Sequence, residues 1–228
     1  MFLCKTQEKH KSSYEKRKTD ESGKGCGDEF AGGFIMKTLI FNGSPRKNGD
    51  TAGLLKLFTD RLSGEYKIVD AYRCNISPCL DCRYCQKRSG CAVKDEMQEV
   101  YEYLKDCDNV LIASPVYFSE LTGKMLDVGS RLQMYYCGKR FRKEEGGLKP
   151  KKGAVLLVGG GDGKPEKAYE TAKTLLKLMN CKEIHELICS HNTDTVPAIE
   201  DAHAVAGVER MVHFFVDKNP LECYTMPR

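Results

Sequence analysis

The chain has 228 residues, a formal net charge of +4 and 12 cysteines. A charge this small, with no lysine and arginine stripe interleaved with aromatic residues, gives no case for nucleic-acid binding. The longest apolar runs are far shorter than the roughly 20 residues that cross a bilayer, so we predict no membrane partner.

The N-terminal region predicts a polar tail. The segment from Lys5 to Glu29 has almost no aliphatic residues and cannot bury enough apolar surface to order itself. The start of the chain also lacks the apolar segment of a signal peptide. We therefore predict a disordered tail over residues 1–35, a folded domain over residues 36–228, and a cytoplasmic location, where thiols stay reduced.

From Met36 onward, strand and helix patterns alternate. Strands are predicted at Thr38–Phe41, Tyr66–Tyr72, Asn109–Val116, Gly153–Val158 and Glu183–Cys189. Helices are predicted between these strands and after the last one, including a helix from about Glu120 to Tyr135. Strands separated by helices imply an α/β domain with a parallel sheet covered on both faces. Ligands of such sheets bind beyond the carboxyl ends of the strands.

The first of these carboxyl ends leads into a polar loop, residues 42–51, that runs straight into a predicted helix. Such a loop offers free backbone N–H groups and the positive end of a helix dipole to an anion. Ser44 and Thr51 add hydroxyl groups, and Arg46 adds a positive charge. We interpret the loop as a phosphate site, and the alternative is an ordinary polar turn.

A group of four cysteines, Cys79, Cys82, Cys85 and Cys91, follows the second predicted strand, in a cysteine-rich loop over residues 74–95. Tight C-x2-C-x2-C spacing is a signature of iron–sulfur ligation. Structural zinc more often uses two separated cysteine pairs or mixtures of cysteine and histidine. The loop therefore favours a [4Fe–4S] cluster, with redox-active thiols and zinc as alternatives.

Basic residues lie among these cysteines: Arg83, Lys87 and Arg88. They could offset the negative charge of a thiolate cluster, or lower the thiol pKa values if no cluster is present. The alternative is that they form a solvated face.

The third and fourth predicted strands end in loops of different character. Tyr117 and Phe118, after a rigid Pro115, could form a flat wall for a planar ring, or could be core aromatics. The fourth strand runs into Gly159–Gly161, where a backbone can approach a ligand closely. These loops predict a ligand site at the same edge as the phosphate loop.

Taken together, GSPRKNGDT, SPVYF and GGG resemble, in this order, the three cofactor loops of the flavodoxin-like NAD(P)H-dependent FMN reductase family. The stretch ISPCLDCRYCQKRSGCAVKDEM is similar to the compact cysteine motif of the iron–sulfur flavoprotein subgroup. The resemblance implies a flavodoxin-like, doubly wound, five-stranded parallel sheet with helices on both faces. It also implies two cofactors, FMN and a [4Fe–4S] cluster.

Carried over residue by residue, the resemblance implies two sets of site residues. The cofactor-binding set is Ser44, Pro45, Arg46, Asn48, Gly49, Asp50, Thr51, Pro115, Val116, Tyr117, Phe118, Gly159, Gly160 and Gly161. The cluster-binding set is Cys79, Cys82, Cys85 and Cys91. Asp50 departs from the family pattern, and a carboxylate beside a phosphate is unfavourable unless it points away, for example as a helix cap.

The function implied is that of an FMN-dependent oxidoreductase that takes hydride from NAD(P)H and passes electrons on to a small-molecule or protein acceptor, with the cluster as one route. No protein acid or base is needed for hydride transfer to flavin, so no catalytic side chain is predicted. The alternatives are a cluster-free reductase of quinones or aromatic compounds, and a non-enzymatic electron carrier or thiol redox sensor. The resemblance also implies a homodimer or higher homo-oligomer.

Overall fold

The computed structural model describes residues 35–144 and 147–217. The predicted tail, apart from its last residue, lies outside the described residues, as do the last residues of the predicted domain. From Ile35 onward the chain alternates strands and helices as the sequence predicts.

The sheet contains six strands that all run parallel: β1 (Lys37–Asn42), β2 (Glu65–Asp70), β3 (Asn109–Pro115), β4 (Lys151–Val158), β5 (Cys181–Ile184) and β6 (Ile188–Ser190). Their order is β2-β1-β3-β4-β5, and β6 pairs with the carboxyl-terminal part of β4. This is the 2-1-3-4-5 order of doubly wound sheets, so the predicted fold class is confirmed.

The helices are α1 (Asp50–Arg61), α2 (Tyr84–Lys87), α3 (Met97–Asp106), α4 (Gly123–Ser130), α5 (Gln133–Phe141), α6 (Glu166–Leu178) and α7 (Ala202–Val216). Apolar residues of α1 and α7 pack on one face of the sheet, where the rings of Phe58 and Phe215 meet edge to face at 5.8 Å. Apolar residues of α3, α4 and α6 pack on the other face. No described helix is long and apolar enough to span a bilayer.

Coverage on both faces explains why the central strands have continuous apolar sequences. Every residue of β4 is buried, and so are all residues of β3 except the last. The edge strand β2 alternates instead, with Lys67 and Val69 as its buried positions. Because β2 is the edge strand, the loop after it, which carries the cysteines, lies at the side of the domain.

Two predicted elements are wrong in detail. The single helix predicted from Glu120 to Tyr135 is two helices, because the chain tightens at Arg131 and Leu132 into bonds between residues three apart, to the carbonyls of Val128 and Gly129. The side chain of Arg131, at this turn, is buried. A position on the exposed face of a continuous helix would have left it in solvent.

The strand predicted at Glu183–Cys189 is also divided. Its first half pairs with the beginning of β4 and its second half with the end, and His185 donates its backbone N–H to the carbonyl of Gly153 at the break. The divided strand still occupies one position in the sheet, so the five-position topology is unchanged.

Candidate functional site

The carboxyl ends of β1, β3 and β4 open into a common cleft of about 220 Å³. Its lining comes from four segments: Ser44, Pro45, Arg46, Gly49, Asp50 and Thr51; Pro115, Val116 and Tyr117; Val158 and Gly160; Thr193 and Asp194. The topology brings these segments together because parallel strands all end at the same edge of the sheet.

The loop between β1 and α1 is held in shape by its own polar groups. The backbone N–H of Ser44 donates to Asn42 Oδ1 at 3.0 Å, and Ser44 Oγ accepts from the backbone N–H of Arg46 at 3.3 Å. A β-carbon on Gly43 would lie 2.9 Å from Ser114 Oγ, so the loop can pass close to the end of β3 only with glycine there. The loop therefore delivers two buried hydroxyls, of Ser44 and Thr51, to the N-terminus of α1.

Asp50, the residue that departs from the family pattern, forms a hydrogen bond with a residue outside the loop. Its Oδ1 accepts a 2.9 Å hydrogen bond from the backbone N–H of Ala198, which precedes α7. The contact gives the carboxylate a structural partner in another part of the chain. The positive end of the α1 dipole and the exposed Arg46 remain as the attractive charges of the loop.

The loop after β3 forms a tight turn that displays aromatic residues. Tyr117 and Glu120 exchange backbone hydrogen bonds of 2.9 and 3.0 Å, and Phe118 and Ser119 between them have φ values of 53° and 63°. The side chain of Phe118 is fully exposed and that of Tyr117 is 44% exposed. The interpretation of these two residues as core aromatics is therefore wrong.

The loop after β4 contacts a segment that the sequence did not single out. The backbone N–H of Thr193 donates to the carbonyl of Gly159, and that of Asp194 donates to the carbonyl of Gly160. A β-carbon on Gly160 would come within 2.6 Å of Asp194 Oδ2. Thr193 and Asp194 follow β6 in the chain. Sequence analysis could have identified them as candidates because they come just after the carboxyl end of a predicted strand.

The structure brings most of the predicted cofactor residues together. Those that line the cleft are Ser44, Pro45, Arg46, Gly49, Asp50, Thr51, Pro115, Val116, Tyr117 and Gly160. Those that lie beside it without lining it are Asn48, Phe118, Gly159 and Gly161. The role of each residue in binding remains a prediction.

A second, smaller recess of about 20 Å³ gathers the thiols of the cysteine loop. It is lined by all four predicted ligands, Cys79, Cys82, Cys85 and Cys91, and by a fifth thiol, that of Cys137 on α5. Cys85 interacts directly with Cys137, and burial together with this neighbour raises the pKa of the Cys85 thiol to about 11. Nothing in the spacing of the sequence pointed to Cys137.

The thiols of the recess are not converged as the ligands of one ion. In the part of the chain that the structure describes, no three cysteine, histidine or carboxylate side chains are grouped to hold a single metal ion. The backbone beside Cys82 is unusual, since Asp81 and Arg83 have φ values of 45° and 58°. Such conformations are uncommon for residues other than glycine, and they cluster at functional sites.

A buried arginine holds the base of this loop. Arg131, 2% exposed, donates from Nη1 to Asp95 Oδ2 at 2.6 Å and to the carbonyl of Ser77 at 2.9 Å. Its Nη2 donates to the carbonyl of Val93 at 3.2 Å and lies 3.5 Å from Cys91 Sγ. The guanidinium therefore touches both ends of the cysteine loop and one of the predicted ligands.

The ion pair at the base of the loop is strengthened by backbone groups. Burial alone would raise the pKa of Asp95, but hydrogen bonds from Arg131 and from the N–H groups of Ser77 and Met97 hold it below its usual value. The lowered pKa keeps the carboxylate of Asp95 negatively charged, so that it can pair with the buried guanidinium of Arg131.

The basic residues that the sequence offered as counter-charges lie elsewhere. Arg83, Lys87 and Arg88 are all exposed, with Arg83 near Asp81 and Arg88 over the ring of Tyr84. Their interpretation as a solvated face fits this placement. Among the described residues, Arg131 is a cation that contacts a thiol of the loop, and the sequence analysis missed it because it lies within a different predicted helix.

Comparison with known proteins connects this chain to flavoproteins. The family described as NADPH-dependent FMN reductase matches residues 36–194. An iron–sulfur flavoprotein of Methanocaldococcus jannaschii is 33% identical over 128 residues, which are 55% of this chain and 62% of that protein. One from Archaeoglobus fulgidus is 31% identical over 145 residues, covering 62% of this chain and 63% of that protein. The matched region thus spans somewhat less than two thirds of either relative.

Solved structures share the fold at low sequence identity. A Streptococcus mutans protein has a TM-score of 0.59 and 18% identity, covering 78% of this chain and 100% of that chain. An NAD(P)H:quinone oxidoreductase from Methanothermobacter marburgensis has a TM-score of 0.55 and 18% identity, covering 79% and 94%. At such identities these structures establish the architecture alone.

Proposed function

Because the chain belongs to the NADPH-dependent FMN reductase family, we propose that it is an oxidoreductase that holds FMN in the cleft at the carboxyl edge of the sheet. The observation that carries this proposal is the convergence of four separate segments on one cleft beside the N-terminus of α1. When bound in this cleft, FMN would supply a site for hydride from NAD(P)H and a means of releasing two electrons together or singly.

Different residues of the cleft suit different parts of FMN. Ser44 and Thr51 offer hydroxyls and the start of α1 offers backbone N–H groups, which suit the terminal phosphate. Arg46, exposed at this loop, adds a charge-assisted hydrogen bond. Pro115, Val116 and Tyr117 present a rigid, largely apolar wall that suits a planar ring.

We further propose that Cys79, Cys82, Cys85 and Cys91 hold a [4Fe–4S] cluster. Two features of the recess fit such a group. Its lining includes all four cysteines, and a cluster of this kind binds each thiolate at a different iron atom. Arg131 also lines the recess. Its buried Nε has no hydrogen-bond partner among the described residues, and an anionic cluster would supply an acceptor. The names of the relatives support the same assignment.

The experiment that tests both proposals is the cofactor content of protein purified without oxygen. We expect one FMN per chain by mass after heat release, and iron and acid-labile sulfide in amounts that match one [4Fe–4S] cluster. Finding FAD, or no flavin after reconstitution, would defeat the first proposal. Iron and sulfide near zero after reconstitution would defeat the second, leaving zinc or redox-active thiols for the recess.

Turnover separates the remaining functions. Steady-state oxidation of NAD(P)H with quinones, aromatic compounds and one-electron acceptors should be rapid for an oxidoreductase and absent for an electron carrier or thiol sensor. Replacing Cys82, the exposed member of the set, by alanine should slow only delivery to one-electron acceptors, since its loop shares no lining residue with the cleft. A variant that loses flavin would contradict this separation.

We also propose that the protein self-associates as a homodimer or larger homo-oligomer. The fully exposed side chain of Phe118, at the tip of the turn after β3, supports this proposal, because contact with a neighbouring chain would bury it. Sedimentation at micromolar concentration should show more than one chain per particle, and a monomer alone would refute the proposal.

A further inference from the structure

We propose that Arg131 is the positioning residue of the cysteine loop: it closes the loop at its base and, through Cys91, raises the reduction potential of the centre that the loop carries. The closing role stands on the geometry of the chain alone. The effect on potential rests on the proposed [4Fe–4S] cluster.

The closing role follows from where the contacts of Arg131 fall. The carbonyls that it binds, of Ser77 and Val93, lie just before the first and just after the last of the four cysteines. Asp95 adds a second tie, because the oxygen that receives Arg131 Nη1 also accepts the backbone N–H of Ser77 at 3.0 Å. One ion pair therefore joins the two ends of the loop.

The neighbouring residues reinforce the same junction. Ser130 Oγ accepts a 2.9 Å hydrogen bond from the backbone N–H of Cys79, the first cysteine of the loop. The hydroxyl of Tyr101 on α3 donates to the carbonyl of Arg131 at 2.8 Å. The turn between α4 and α5 is thus fixed to α3 while it holds the loop.

The effect on potential follows from charge and burial. Arg131 Nη2 lies 3.5 Å from Cys91 Sγ, and the guanidinium side chain is 1% exposed, so solvent screens it poorly. A cluster gains one negative charge when it takes up one electron, with no bond formed or broken in the protein. Hydrogen bonds to cluster sulfurs and nearby positive charge favour that reduced state. Arg131 should therefore make the centre easier to reduce.

The test compares three variants with the wild-type chain, all purified without oxygen. Arg131→Lys keeps a cation but cannot reach Ser77, Val93, Asp95 and Cys91 at once. The double variant Arg131→Met/Asp95→Asn removes both charges, so that neither remains buried without a partner. Arg83→Met is the matched control, since it removes an exposed arginine within the same loop.

Hydrogen exchange of peptides covering residues 77–95 tests the closing role with or without a cluster. We expect exchange at least tenfold faster in Arg131→Lys and in the double variant than in wild type, and unchanged in Arg83→Met. Equal exchange in all four proteins would overturn the closing role. If the double variant does not fold, Arg131→Lys alone decides this comparison.

Electron paramagnetic resonance during a redox titration tests the effect on potential. Arg131→Lys keeps a cation but removes the guanidinium hydrogen bond to Cys91 Sγ, so it isolates the effect of that bond. We expect its reduced centre to be disfavoured by about tenfold, a midpoint potential about 59 mV lower for a one-electron couple. Wild-type potential in Arg131→Lys, with full iron and sulfide, would overturn this half of the proposal. Wild-type protein without iron and sulfide would refute the cluster and the effect on potential together, while hydrogen exchange would still decide the closing role.

Discussion

Arg73 donates a 2.7 Å hydrogen bond from its guanidinium to the carbonyl oxygen of Pro45, in the centre of the loop between β1 and α1. The other arm of the same guanidinium binds Asp70, the last residue of β2, also at 2.7 Å. The loop that we propose for the FMN phosphate is therefore tied to the neighbouring strand, which helps to hold its backbone in place.

Replacing Arg46 by alanine should weaken FMN binding by about 1.5–3 kcal/mol, the range for a hydrogen bond to a charged group. Arg46 is exposed and lines the cleft, so the change should leave the fold intact. Fluorescence titration of flavin-free protein measures the change in Kd. Lys47→Ala, at an exposed neighbour that does not line the cleft, is the control, and an equal loss in both variants would show a general charge effect.

Gly160→Ala should reduce FMN affinity by about 1–3 kcal/mol, a typical penalty for overpacking. The added β-carbon would lie 2.6 Å from Asp194 Oδ2, and the displaced carboxylate or loop would disturb the cleft. Gly163→Ala is the matched control, because Gly163 lies in the same loop outside the predicted cofactor-binding set and an added β-carbon there meets nothing within 4 Å. Equal affinity in the two variants would mean that the contact between Gly160 and Asp194 does not shape the site.

Phe118→Asn should stabilise the fold by about 1 kcal/mol, because asparagine tolerates a φ of 53° better than phenylalanine does. The same change should weaken FMN binding by about 1 kcal/mol if the aromatic ring contacts the flavin, as the family resemblance implies. Urea unfolding and flavin titration measure the two effects.

Ser119→Gly relieves the neighbouring φ of 63° and keeps the ring, so unchanged flavin binding is expected. A Phe118→Asn protein with wild-type flavin affinity would remove Phe118 from the site.

Asp201→Ala should lower the free energy of unfolding by about 0.5–2 kcal/mol, since Asp201 caps α7 through the N–H groups of His203 and Ala204. Burial alone would raise its pKa, but the hydrogen bond from Ser190 and these two N–H groups lower it. A depressed pKa stabilises the folded chain fully above the unfolded value of about 3.9, and this stabilisation is lost as the pH falls through the folded pKa.

Urea unfolding of wild type and Asp201→Ala between pH 6 and pH 3 measures this dependence. The difference between the two should be constant down to about pH 4 and shrink below it. Glu200→Ala, at the exposed neighbouring residue, should follow wild type throughout. A difference that grows as the pH falls would contradict the sign of the predicted effect.

The sequence by itself determined the fold class and the position of the main cleft. Alternating apolar runs and helical stripes are local patterns, and right-handed crossovers leave few ways to arrange them. Ser44, Thr51, Pro115 and Gly160 were found because each lies at or just beyond the carboxyl end of a strand, and the topology places those ends at one edge. The cysteine loop was found for a similar reason, because its four closely spaced cysteines lie within one short segment.

Tertiary structure decided the contacts between segments that are distant in the chain. Arg131 reaches Asp95 and Cys91, and Asp194 reaches Gly160, through packing that no local pattern records. Cys137 joins the thiol recess only because α5 packs against α2. An arginine in a helical sequence predicts an exposed side chain, and its burial here depends on an acidic partner and two free carbonyls supplied by another loop. Such complementary groups meet only once the sheet and its helices are assembled, so the folded chain alone identifies the residue that closes the cysteine loop.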